Sequence, residues 1–279
     1  MNKNFLKFSA FTLAEVLITL GIIGVVAAVT MPTLIKNHKI TQLENQFKVA
    51  YSTLSQGFKL IHASYGGDAD LSQILIDNGI TDDDRTSNVS NFLKKYFKIT
   101  DVVSRTGSNY WPAVAQVDIN SADCKNWIGK GAIWATKGGK TCFGGFGTHV
   151  IKLANGSWFI IELNPWAATY TQNPGKMKGR VGWLYVDVNG DKKPNTWGED
   201  VFTFVIGIDG FLYPSFGRDD AYYLQCQNKT AEECGDDFYE AYWRAADGTD
   251  KRCNVENEGT GCGAKYIENA FQFDRADFK

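Results

Sequence analysis

Apolar and polar positions divide the chain into stretches with different periods. Residues 11 to 35, FTLAEVLITLGIIGVVAAVTMPTLI, are almost continuously apolar, and Glu15 is the only charge among them. About 20 apolar residues suffice to cross a bilayer as a helix, so this stretch predicts a transmembrane helix. Beyond it the apolar positions open out to Ile40, Leu43, Phe47, Ala50, Leu54, Phe58 and Ile61. Gaps of three and four put these side chains on one stripe of an amphipathic helix. Lys39, Glu44, Lys48 and Gln56 fall on its other faces. The two stretches join into one predicted helix over about 11–63, roughly 80 Å long at 1.5 Å per residue. Gly66-Gly67 supplies its stop.

The period changes to two farther along. THVIKLA and SWFIIELN flank Asn155-Gly156, a strong hairpin signal. RVGWLYVDV and DVFTFVIGI predict two more strands, and Asp209-Gly210 turns the chain into FLYP. Residues 64–110 read as irregular apart from a short helix near 87–97, and further short helices are expected near 219–226 and 236–246. Helix first and sheet afterwards predicts an α+β head in which an antiparallel sheet packs on the helix.

The N-terminus is more specific. MNKNFLKFSA carries Lys3 and Lys7 ahead of the apolar run. An ordinary signal peptide is cut after its apolar region, beside small residues, and Ala27-Ala28 would serve. Here, however, the apolar run continues into a helix-patterned segment. It also begins with a carboxylate, which costs roughly 2.5–3.5 kcal/mol in a membrane helix and marks a functional site by default. Ala10-Phe11-Thr12-Leu13-Ala14-Glu15 resembles the prepilin peptidase site of type IV pilins and type II secretion pseudopilins. Phe11 and Glu15 match the family's spacing, and Gly24 and Pro32 fall at its helix glycine and proline. Ala10 departs from the glycine that is commoner before the cut. The resemblance covers about residues 1–60.

The resemblance implies cleavage between Ala10 and Phe11 by a prepilin peptidase, followed by methylation of the new amine. It implies assembly into a filament with copies of the same chain or with other pilins. Glu15 would attract the Phe11 amine of a neighbouring subunit, since opposite charges attract strongly in low dielectric. Gly24 would allow close helix packing, and Pro32 would loosen the helix around Ala28. The implied layout is a leader at 1–10, a membrane assembly helix at 11–35, its amphipathic continuation at 36–63, and a head at 64–279. The chain would cross the bacterial cytoplasmic membrane once, with its head outside, in a surface or periplasmic filament.

Composition changes the picture at three points. The 279 residues carry a net charge of -2, with no basic excess to suggest nucleic acid. Six cysteines all lie beyond residue 120, which suggests disulfides in an oxidising compartment. Pairing of neighbours would join Cys124 to Cys142, Cys226 to Cys234 and Cys253 to Cys262, and a stapled C-terminal region also agrees with the pilin resemblance. The third point is Asp187-Val-Asn189-Gly190-Asp191, followed by Glu199 and Asp200. Alternating Asp and Asn converge oxygens, and calcium takes six to eight of them. The pattern departs from a helix-loop-helix calcium loop: Gly190 comes too early and the late carboxylates too late. The remaining readings are a looser calcium loop between two strands, resembling those of some pseudopilins, or a turn needing no metal.

No catalytic motif is found, so the chain is read as no enzyme. Gly139-Lys140-Thr141 resembles the end of a P-loop, but Trp134 stands where the first glycine is required. His38, His62 and His149 are scattered. Trp158, Trp166, Trp183 and Trp197 offer a second functional reading, a carbohydrate- or surface-binding head. Aromatics at strand positions more often fill cores, and burial decides between the two.

Overall fold

A computed structural model describes residues 12–80, 86–104, 132–135, 142–144, 149–163, 180–190, 192, 195–214, 253, 259 and 261–278. The chain divides into two compact units, Met1–Gln42 and Leu43–Lys279. Helix α1, Leu13–Ser64, runs through the boundary as 52 continuous residues. Pro32 lies inside it without ending it. Through Ile35 the large apolar side chains of α1 are exposed, among them Leu13, Ile18, Ile23, Val29 and Leu34, whereas Ile40, the first residue of the predicted stripe, is buried. This helix is long and apolar enough to cross a membrane, and a signal sequence passes the same test.

In the second unit α1 behaves as its stripe predicts. Leu43, Phe47, Ala50, Leu54, Phe58 and Ile61 are all buried, and Glu44 pairs with Lys48 across one turn at 3.1 Å on an outer face. The helix ends before Gly66-Gly67, where the Gly67 amide donates to the His62 carbonyl.

Helices α2 (Leu71–Asp77) and α3 (Thr86–Leu93) precede strand β1 (Ile99–Ser104). Strands β2 (Ala132–Ala135) and β3 (Cys142–Gly144) form a separate pair. The main sheet continues through β4 (His149–Leu153), β5 (Trp158–Leu163), β6 (Arg180–Asp187), β7 (Val201–Gly207) and β8 (Leu212–Pro214). Its order is β1-β4-β5-β6-β7-β8, with every pair antiparallel. Helix α4 (Cys262–Glu268) and a 3-10 turn, Arg275–Asp277, follow.

The α+β class and the strands from β4 to β8 agree with the pattern reading. Two elements correct it within 64–110, which was expected to be irregular around one helix. Helix α2 starts because Asp70 caps it, its carboxylate accepting from the Ser72 amide at 2.8 Å. Leu71, Ile74 and Leu75 then form its buried face. Strand β1 pairs with β4 rather than with any sequence neighbour. A long-range partner of that kind leaves no local signal.

The sheet is buried on both faces. Phe202 and Phe204 of β7 meet Phe47 at ring distances of 4.3 and 6.3 Å. Phe159 of β5 meets Phe97, which in turn meets Phe58. That face packs on α1. The alternate positions point the other way, and Trp158, Ile160, Trp183, Tyr185, Thr203 and Val205 are buried there as well. Double burial explains why VFTFVIG shows so little polar alternation.

Phe47 also touches Tyr51, Tyr266, Phe271 and Phe273. Phe47→Ala is therefore expected to destabilise the folded chain by about 3–5 kcal/mol in denaturant unfolding. A loss below about 1 kcal/mol, the scale of an average substitution, would remove Phe47 from the core.

Candidate functional sites

The first candidate site is the start of α1. Thr12 sits at its cap, and Glu15 reaches back to it. Glu15 Oε2 accepts from both the Thr12 amide and the Thr12 hydroxyl, each at 2.8 Å, while the Glu15 amide donates to Thr12 Oγ1 at 3.3 Å. This is a capping box, in which two orphan donors of a helix start are satisfied reciprocally. Its signal, Thr-x-x-Glu, stands in the sequence as Thr12 and Glu15. Glu15 thus has a partner within its own chain. A Cβ at Gly24 would meet nothing within 4 Å. Ala10 and Phe11 lie outside the described residues.

The second candidate site is the loop between β6 and β7. The loop closes where the Val188 amide donates to the Asp200 carbonyl at 2.8 Å. Asp187, Asn189, Asn195 and Asp200 are all buried. Asp187 Oδ1 accepts from the amides of Asn189 and Gly190 at 3.2 and 2.8 Å. Asp200 Oδ2 accepts from Asn189 Nδ2 at 2.9 Å and the Asn195 amide at 2.8 Å, and its Oδ1 accepts from the Thr196 amide at 2.6 Å. Asn189 thereby bridges the two carboxylates. Glu199 is half-buried on the same turn, its amide donating to the Thr196 carbonyl. Asp191 lies outside the described residues.

Burial pushes the Asp200 carboxyl up to about 7, against its three hydrogen-bond donors, and the Glu199 charge adds to the rise. None of these groups is a cation. Hard oxygen donors in a buried loop, with an acid lacking positive compensation among the groups that set its titration, suit a divalent cation such as calcium. Among the described residues no group of three or more His, Cys, Asp or Glu side chains converges on a common point. A metal there would therefore draw on Asn189 and backbone oxygens as well as carboxylates.

Two expectations about the head meet the structure directly. Trp158, Trp183 and Trp197 are buried, between 1% and 7% exposed, so these three form no sugar platform. Trp166 lies outside the described residues. Cys253 and Cys262 form the disulfide that neighbour pairing predicted. Cys124, Cys226 and Cys234 lie outside the described residues, as does the side chain of Cys142.

The pattern reading missed what stands behind the loop. Lys265 Nζ lies 3.1 Å from Asp277 Oδ2 and 3.5 Å from Asp274 Oδ2. The Tyr266 hydroxyl lies 3.1 Å from Asp277 Oδ2 and 3.3 Å from the Gly198 carbonyl. Burial, then the Asp277 charge, hold the Tyr266 phenol well above its ordinary range, so it remains a donor. No sequence spacing announces a contact between residues 198 and 266. Searches of family models, curated proteins and solved structures found no match to this chain.

Asp200 also gives the metal-free head a pH dependence. A carboxyl raised on folding binds its proton more tightly in the folded state. The stability it contributes is complete below its unfolded pKa, near 4, and is lost as pH rises through about 7. In chelator, the denaturation midpoint should fall across that window. Asp200→Asn should lower the midpoint at every pH, because its amide cannot accept all three donors, yet flatten the fall. A variant with the parent's slope would remove Asp200 from the titration.

Proposed function

We propose that this chain is a pilin or pseudopilin subunit of a type IV pilus or type II secretion-like filament. One observation carries the reading. The sequence Ala10-Phe11-Thr12-Leu13-Ala14-Glu15 runs into the helix Leu13–Ser64, which is apolar and exposed through Ile35 and whose later residues enter the core of an α+β head. A soluble domain gains nothing from an exposed apolar helix of that length. A subunit that moves from a bilayer into a packed bundle of helices needs one in both places.

In this reading prepilin peptidase cuts before Phe11 and methylates the new amine. The head lies outside the bacterial cytoplasmic membrane, and the partners are copies of this chain or other pilins. The capping box refines the role of Glu15. Its carboxylate already accepts from the Thr12 amide, one residue from the future terminus. A neighbour's Phe11 amine would therefore join an existing set of donors instead of meeting a bare charge. That shared arrangement lowers the cost of carrying the carboxylate in the membrane beforehand.

Mass spectrometry of the mature N-terminus from native membranes tests the reading. A chain beginning at methylated Phe11 is the expected result. A chain beginning at Met1, or cut near Ala28, would leave an ordinary anchored or secreted protein.

The head also supports a second reading, a surface-binding subunit stabilised by calcium. The burial of Trp158, Trp183 and Trp197 counts against carbohydrate stacking on those rings. What favours the calcium is the burial of the oxygen-bearing side chains of Asp187, Asn189 and Asp200 in one loop. Asp187, Asn189, Asp191, Glu199 and Asp200 are the residues that would hold it, and the ion would supply the positive charge that Asp200 lacks among its interacting groups. Millimolar calcium should raise the melting temperature of the head, and EGTA should reverse the rise. Coincident melting curves would end the metal reading.

A further inference from the structure

The turn that carries Asp200 has two sides. Toward the loop, the Asn195 and Thr196 amides hold the Asp200 carboxylate. Toward the C-terminus, Gly198 is pressed against the crosslink. A Cβ at Gly198 would lie 2.5 Å from Cys262 Sγ and 2.7 Å from the Gly259 carbonyl, and its φ of +78° already excludes most side chains. The turn is closed by the Gly198 amide donating to the Val201 carbonyl at 2.8 Å and the Val201 amide donating to the Thr196 carbonyl at 3.2 Å. The Tyr266 hydroxyl braces the Gly198 carbonyl from the same C-terminal side. Tyr266 is itself fixed by Asp277, whose carboxylate pairs with buried Lys265.

We propose that the Cys253–Cys262 disulfide is a maturation lock on this turn. Before oxidation the Tyr266 hydroxyl still reaches the Gly198 carbonyl, but Cys253 and Cys262 are not joined and the Thr196–Asp200 turn lacks the crosslink behind it. Oxidation removes two electrons and two protons from the thiols and passes them to a disulfide donor, which leaves as a dithiol. The finished crosslink sets Asp200 in the loop. Both half-cystines are fully buried, so an attacking thiolate has no path to the bond while the head stays folded. The lock closes once. Its ligand consequence, that the loop takes a hard divalent cation only after oxidation, rests on the calcium reading above; the lock itself does not.

The test is hydrogen exchange on the full chain in detergent, in chelator, comparing the oxidised protein with Cys253→Ser/Cys262→Ser. The Asn195 and Thr196 amides should exchange at least about tenfold faster in the variant, as expected for a local opening. The Ile160 and Leu184 amides, in the middle of the sheet, should be unchanged. Equal rates at Asn195 and Thr196 in the two proteins overturn the lock. Should the double variant unfold throughout, Cys253→Ala/Cys262→Ala, which keeps both buried positions apolar, takes its place. Fast exchange confined to Asn195 and Thr196 supports the lock; rates equal to those of the oxidised protein, or unfolding throughout here too, overturn it. Calcium is then added to both proteins. Slower exchange at Asn195 and Thr196 in the oxidised protein alone supports the ligand consequence. No change in the oxidised protein removes the cation and leaves the lock to the chelator comparison.

Discussion

The contact between the apolar stripe of α1 and one face of the sheet organises the head. Phe47 and Phe58 stand close to three turns apart on that stripe and reach different strands, Phe47 through Phe202 and Phe204, Phe58 through Phe97 and Phe159. The sheet cannot keep its register without burying Phe159, Phe202 and Phe204, because a slip of one residue would turn them to the opposite face. Gly57 is part of the same fit: a Cβ there would overlap the Phe97 ring. The helix is thus the template on which strand register is fixed, and everything hung between strands inherits its position from it.

The loop from Asp187 to Asp200 is one such inheritance. Its ends are paired, Asp187 opposite Val201 in the ladder, so a short stretch carries its polar groups through a tight reversal. Its interior is neither solvent nor core. The Asp187 and Asp200 carboxylates accept from main-chain amides, and Asp200 from the Asn189 side chain as well, an arrangement that fixes their geometry. The C-terminal segment closes the back of this loop with an ion pair, a phenol and a crosslink.

How much of this could be read from residues depended on range. The stripe from Leu43 to Ile61 announced α1 because a helix states its period locally, and Asn155-Gly156 announced the β4–β5 hairpin for the same reason. Strand β1 was silent, because its identity lies in pairing with β4 across a long interval. Strand β7 was legible as an apolar run rather than by alternation, because its residues alternate between two buried faces. At the candidate sites, Asp187, Asn189 and Asp200 were found from composition of the loop alone. Gly198, Tyr266 and Asp277 were not, since three distant segments meet there. Thr12 was legible and overlooked, its pairing with Glu15 being an ordinary helix start.

Strand order has a further consequence. From β4 to β8 each strand pairs with the next one in sequence, and β1 pairs with β4. The pairing order of the strands therefore does not depend on the lengths of the connections after Ser104, Leu163 and Pro214. Closing such a loop costs entropy that grows only with the logarithm of its length, about 0.6 kcal/mol per doubling. A change of length in any of these connections would be cheap for strand pairing, so the helix and the register could persist through it.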